Sequence, residues 1–124
     1  MTSHTVLAQP LTLPNGTVVK NRLLKSAMSE ALGTREGSPT PELNHLYKAW
    51  ADGGIGLCVT GNVMIDLKAR GEPGNVVIED DTHLAALKAW AKAATAKNTH
   101  CWVQLNHPGK QAPKGLNRET VAPS

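Results

Sequence analysis

The stretch "WVQLNHPGKQAP", residues 102–113, sets four polar or ionisable side chains directly after an apolar run. Gln104 carries a donor and an acceptor on one planar amide, which suits a ring edge that alternates N–H and C=O. Asn106, His107 and Lys110 follow it, threaded between Pro108, Gly109 and Pro113. Two earlier apolar runs also end in small or polar residues, "SAMSE" (26–30) and "TGN" (60–62). Ala27, Met28 and Ser29 combine small size, a soft thioether and a hydroxyl, and Gly61 lets backbone approach a flat ligand closely. Together they describe a wall for a planar heterocycle, apolar on its face and amide-like on its rim. Plainer readings stand beside this one. Ser29 can bond its own loop, Met28 can fill a core, His107 can be a loop histidine and Lys110 a solvated cation. Gln104 resists such a reading, because a buried amide without partners costs roughly 1–3 kcal/mol.

Those residues need elements to hold them. "LTLPNGTVVKN" alternates apolar positions around Asn15-Gly16, a pair that favours the positive φ values of a tight hairpin turn. "RLLKSAMS" (22–29) reads as a first buried strand. Thr40 and Pro41 form a helix start, with Leu43, Leu46, Tyr47 and Trp50 on one face and Gly53-Gly54 as the stop. "IGLCVTGNVMI" (55–65) begins without polar alternation, the signature of a strand covered on both faces in a parallel sheet. "VVIE" (76–79) can pair locally. Asp81 or Thr82 is expected to cap a second helix that turns Leu84, Leu87, Trp90, Ala91 and Ala94 inward and Lys88, Lys92 and Lys97 to solvent. "HCWVQL" (100–105) reads as a third buried strand.

The order hairpin, β, α, β, α, β implies parallel strands joined by crossovers, an α/β architecture. Ligands in such folds bind beyond the carboxyl ends of the strands, where the polar residues cluster. The spacing matches the unit of a (β/α)₈ TIM barrel, and three strands cannot close one. The chain therefore reads as part of such a fold, hairpin plus three strands and two helices, with residues 1–124 forming one fragment of a single domain.

At 124 residues and 40% hydrophobic, the chain can build a modest core. A net charge of +3 is scattered rather than striped, and no interleaved aromatic and basic surface suggests nucleic acid. Cys58 and Cys101 each sit in an apolar run and read as core thiols in a reducing cytoplasm, too far apart in sequence to suggest a disulfide or metal site. "MTSHTVLAQP" lacks the charged and apolar regions of a signal peptide, and no apolar run approaches the ~18 residues of a membrane span.

Four segments in order, "LTLPNGTVVKNRLLKSAMSE", "YKAWADGGIGLCVTGNVMID", "RGEPGN" and "WVQLNHPGKQAP", resemble the N-terminal part of the Old Yellow Enzyme-like NADH:flavin oxidoreductases over residues 8–124. The resemblance implies a TIM barrel that holds FMN, takes reducing equivalents from NADH or NADPH, and passes hydride to an electrophilic C=C bond of a small molecule. It implies flavin contacts from Ala27, Met28 and Gly61. Ser29 would sit at the position that tunes the flavin potential, and Gln104 would bind the pyrimidine edge. His107 and Lys110 follow on the loop with less defined roles. The substrate-anchoring pair, the proton donor and the phosphate site of the family belong to later strands, so a second chain or C-terminal segment is expected to complete the barrel. Homo-oligomerisation stays open. Two other readings remain: a non-catalytic fragment that acts only by assembling with the rest of a barrel, and a flavin-free TIM-barrel enzyme. Glu30 and Ala31 depart from subfamilies that place aromatic residues there.

Overall fold

A computed structural model describes residues 3–123. A short exposed helix, α1 (Ser3–Ala8), precedes the hairpin and was not expected from the sequence. Strands β1 (Leu11–Thr12) and β2 (Val18–Val19) pair antiparallel. The Leu13 N–H donates to Thr17 O at 2.8 Å, and Asn15 Oδ1 accepts from Thr17 N at 3.0 Å. Positive φ is confined to Gly16, so the turn is a longer one than a two-residue Asn-Gly loop.

The main sheet is parallel. β3 (Leu24–Lys25), β4 (Leu57–Met64), β5 (Val76–Val77) and β6 (His100–Asn106) all pair through β4. β6 runs along one edge of β4 for its whole length. β3 and β5 share the other edge, with Leu24 opposite Leu57, Lys25 opposite Cys58, Val63 opposite Val76 and Met64 opposite Val77. β4 is the covered strand that the sequence suggested, buried or half-buried at every position. The "VVIE" segment contributes β5, a parallel partner for the end of β4.

Two strands differ from expectation. The first ladder covers only Leu24 and Lys25 of 22–29, and Leu23, Leu24 and Met28 are exposed. β6 is likewise not buried: Trp102, Val103 and Leu105 are 49%, 47% and 64% exposed. Both are edge strands whose outer sides meet no strand among the described residues. Apolar composition marks a residue that needs cover; it does not supply the cover.

Helix α2 (Pro41–Asp52) starts as its sequence dictates. Thr40 Oγ1 accepts from Leu43 N at 3.2 Å and donates to Leu32 O at 2.6 Å, and Pro41 fills the first turn. Gly54, at φ 97°, takes the left-handed residue past its end. Helix α3 (Leu84–Ala94) has no side-chain cap. Asp80, rather than Asp81 or Thr82, bonds the loop, accepting from Thr82 N at 2.9 Å. Leu84 and Ala91 face solvent, and the inward face narrows to Leu87, Trp90 and Ala94. Trp90 centres that face because its ring packs edge-on against Tyr47, with centroids 5.2 Å apart and planes at 87°. Lys88 and Lys92 are exposed as expected, and Lys97 lies beyond the helix at φ 58°. Leu43, Tyr47, Cys58, Val63, Val76, Trp90 and Ala94 make the core between the helices and the sheet.

Candidate functional site

A β-bulge organises the strand ends. The β4/β6 register runs from Val59 opposite Trp102 to Asn62 opposite Gln104, so Thr60 and Gly61 together face Val103. The extra residue re-aims two hydrogen-bonding groups. Thr60 Oγ1 accepts from the Gln104 backbone N–H at 3.0 Å. The Gly61 N–H leaves the ladder and donates to Tyr47 Oη at 3.1 Å and Glu30 Oε1 at 3.3 Å.

Tyr47 Oη in turn donates to the Glu30 carboxylate. Burial, reinforced by that hydrogen bond, pushes the Tyr47 phenol well above its ordinary value. Glu30 thus ties the chain after β3 onto the bulge. The segment lies so close that a Cβ on Gly61 would collide with Met28 O and the Glu30 carboxylate, which is why only glycine fits. Past the two-residue ladder of β3, the segment is held in place by this three-membered contact.

Beyond the bulge lies a row of amides. Asn62 Oδ1 accepts from Gln104 Nε2 at 2.6 Å and from Asn106 Nδ2 at 2.8 Å. Gln104 is half-buried. Among the described residues its Nε2 bonds Asn62 alone, and its Oε1 accepts no protein hydrogen bond. A planar amide fixed on one side and free on the other is a preorganised edge for a partner that both donates and accepts.

Of the residues singled out from sequence, Gly61 lies in the bulge against Met28 O, Gln104 lies in the amide row, and Ala27 and Ser29 flank Met28 in the chain. Ser29 and Met28 are exposed, and Ala27 is half-buried. His107 and Lys110 do not join it. Both are exposed in the loop after β6, where His107 Nδ1 accepts from Gly109 N at 3.0 Å and Lys110 sits in a 3₁₀ turn, Gly109–Gln111. Glu30, Tyr47 and Asn62 were the functional neighbours that sequence patterning missed. The signal available was Glu30 itself, a carboxylate immediately after a strand end that faces a helix carrying a tyrosine.

A cavity of about 640 Å³ lies elsewhere, between the loop after β4 and the C-terminal tail, lined by Asp66, Lys68, Ala69, Asn117 and Arg118 among others. None of the seven residues chosen from sequence lines it. The strand-end amide row, with the Gln104 Oε1 open to a partner, is the better candidate on chemistry, because an open surface built by few strands encloses little volume.

A model of the NADH:flavin oxidoreductase / NADH oxidase family matches residues 6–124. The chain belongs to that family. The NADH-dependent flavin oxidoreductase iliE of Hypocrea jecorina is 38% identical over 110 residues, covering 86% of this chain and 27% of that protein. The NADH:fumarate oxidoreductase of Klebsiella pneumoniae is 38% identical over 126 residues, covering 100% of this chain and 14% of that protein. Morphinone reductase in complex with tetrahydroNAD superposes with a TM-score of 0.83 at 26% identity, covering 95% of this chain and 32% of that one. The Old Yellow Enzyme homologue of Zymomonas mobilis gives a TM-score of 0.85 at 24% identity, covering 95% and 33%. The chain spans about a third or less of each protein it matches. Its fold is the N-terminal portion of an Old Yellow Enzyme-type TIM barrel, with open sheets. Among the described residues no helix is long and apolar enough to cross a membrane.

Proposed function

We propose that the surface formed by Ala27–Ser29, Gly61 and Gln104 binds the isoalloxazine of FMN in an oxidoreductase that moves hydride from NADH or NADPH to an electrophilic C=C bond. The observation that carries this reading is the Gln104 amide, anchored to Asn62 at 2.6 Å with its Oε1 unpaired. That donor and acceptor set fits a pyrimidine edge: Oε1 accepts from the ring N3–H, and the second amide hydrogen donates to a ring carbonyl. FMN held by these residues would supply the two-electron hydride chemistry between nicotinamide and alkene.

The chain's own residues bind and position. Met28 and Ala27 offer apolar contact and backbone to the ring face, and Gly61 keeps that segment low against β4. The Ser29 hydroxyl donates toward the ring and stabilises its electron-rich reduced form, which raises the potential. Asn62 holds Gln104 in its productive orientation, and Glu30 with Tyr47 holds the backbone on which Ser29 rides.

The exposed apolar residues of β6 and β3 support the companion proposal that further chain completes the barrel and that turnover requires it. Trp102, Val103, Leu105 and Leu24 are the surfaces such chain would cover. The same surfaces suit the non-catalytic reading, in which assembly is this chain's whole role; flavin content separates the two. FMN titration of the assembled protein tests the proposal: one flavin per barrel is expected, and a barrel that assembles without retaining flavin would overturn it.

A further inference from the structure

Lys25, Cys58 and Cys101 lie in one row across three strands. Lys25 on β3 is the register partner of Cys58 on β4, and Cys58 is the register partner of Cys101 on β6. Register partners in a parallel sheet point to the same face, here the helix-covered one. Cys58 is buried in the core beneath Tyr47 and Trp90, Cys101 is half-buried beside it, and both thiols are free. Adjacent strands run about 4.7–4.9 Å apart, within the 4.4–6.8 Å separation of Cα atoms that a disulfide spans. Residues 43 apart in sequence, which spacing alone would keep separate, are therefore neighbours.

Lys25 makes the row more than two core thiols. Its Nζ is buried and has no hydrogen-bond partner. It sits over the Trp50 ring, 4.3 Å from the centroid, and 5.9 Å from that of Tyr47. Among the described residues this buried cation, stacked on π faces, makes no ion pair. A thiolate at Cys58, the next position in the row, would supply the anion.

The surroundings favour the loss of a proton from Cys58. The neighbouring Cys101 thiol, then the nearby Lys25 cation, hold Cys58 below the ordinary thiol value against the opposing effect of burial. Cys58 and burial push Cys101 up. Glu30 acts against Lys25 on both thiols. Of the two thiols, Cys58 is therefore the readier to ionise, giving up the bond its Sγ donates to Val59 O at 3.9 Å.

We propose that Cys58 and Cys101 form a reversible disulfide that staples β4 to β6, with Lys25 stabilising the thiolate that reacts first. The oxidant is hydrogen peroxide. The Cys58 thiolate attacks one peroxide oxygen, the O–O bond breaks, hydroxide leaves, and Cys58 becomes a sulfenic acid. The Cys101 thiol then attacks the Cys58 sulfur, the S–O bond breaks, and the departing hydroxide takes the Cys101 proton as water. The two sulfurs together lose two electrons, and the peroxide is reduced to water and hydroxide. The pair bridges neighbouring strands directly, a tight geometry that favours a readily reduced bond.

The test is peroxide treatment of the purified, intact protein, followed by thiol capping with a maleimide and peptide mass spectrometry. One cross-linked species joining Cys58 to Cys101, two hydrogens lighter than the dithiol and released by dithiothreitol, is expected. Cys101→Ser should trap Cys58 as a sulfenic acid that dimedone labels. Lys25→Met should slow oxidation about threefold or more, because the loss of thiolate outweighs the gain in nucleophilicity. Lys25→Arg, which keeps the cation, should restore the rate, and Lys88→Met on the exposed face of α3 should not change it. Both cysteines capped after peroxide, or each oxidised separately to a sulfinic acid, would overturn the disulfide. Equal rates for Lys25→Met and Lys25→Arg would overturn the role of the cation.

Discussion

In the proposed site Asn62 would reach the flavin only through Gln104, and this makes a sharp prediction for a pair of substitutions. Gln104→Leu keeps similar volume but removes the amide that meets the ring, leaving a ring carbonyl and N3–H unpaired. The expected loss is about 1–3 kcal/mol of flavin affinity, roughly one to two decades in dissociation constant. Asn62→Ala removes the acceptor for both Gln104 Nε2 and Asn106 Nδ2. Gln104 is half-buried, so water can replace part of that bond, and the cost falls to about 0.5–1.5 kcal/mol, up to about tenfold. In the Gln104→Leu background Asn62 has nothing left to orient. There its removal should change affinity less than about twofold, within the range expected of uncoupled sites. Quenching of FMN fluorescence on titration into the assembled protein measures all four corners of the cycle, with Lys88→Leu as a control that should bind like the parent. Unchanged binding in Gln104→Leu would show the amide to be structural. An Asn62 effect of equal size in both backgrounds would refute the coupling.

Ser29 is exposed, so Ser29→Ala should leave stability intact while lowering the flavin potential by about 10–30 mV, the equivalent of a neutral hydrogen bond of about 0.5–1.5 kcal/mol in a two-electron couple; a redox titration that finds no change with flavin bound would remove Ser29 from the site. The buried Tyr47 phenol holds its proton more tightly folded than unfolded, so stability is level below the ordinary tyrosine value of 10.0 and falls as pH rises above it, by about 1.4 kcal/mol per pH unit. Urea unfolding between pH 9 and 11 should show this slope in the parent and lose it in Tyr47→Phe (values chosen to bracket that pKa). The 124-residue chain expressed alone should bind a hydrophobic dye and self-associate through the uncovered apolar faces of β3 and β6. A sharp cooperative melt from a soluble monomer would contradict that.

Residues whose partners are close in sequence were legible. Thr40 and Pro41 start α2 because cap and first turn lie within four residues, and the glycine pair ends it for the same reason. β4 was legible because continuous apolar residues mean cover on both faces wherever the cover comes from. The burial of β3 and β6 was misread because apolar runs announce a demand for cover that no other described strand meets on their outer edges. The inward face of α3 was misplaced by Leu84 and Ala91, because the position of one large ring, Trp90 against Tyr47, sets the rotation of the helix. Gln104 was legible as an anomaly, an amide in an apolar strand. Its partner Asn62 was hidden because a bulge at Thr60–Gly61, with no sequence mark beyond one glycine, shifts the register that joins them. Cys58 and Cys101 were read apart for a similar reason: pairing between parallel strands joins residues a whole crossover away.

The side-chain amide resonances of Gln104, followed by ¹⁵N NMR as FMN is added to the assembled protein, test the central claim most directly. The account predicts that they shift and saturate with one equivalent of flavin, together with the Gly61 backbone amide. Flavin that binds stoichiometrically while the Gln104 and Gly61 resonances stay where they were would contradict it.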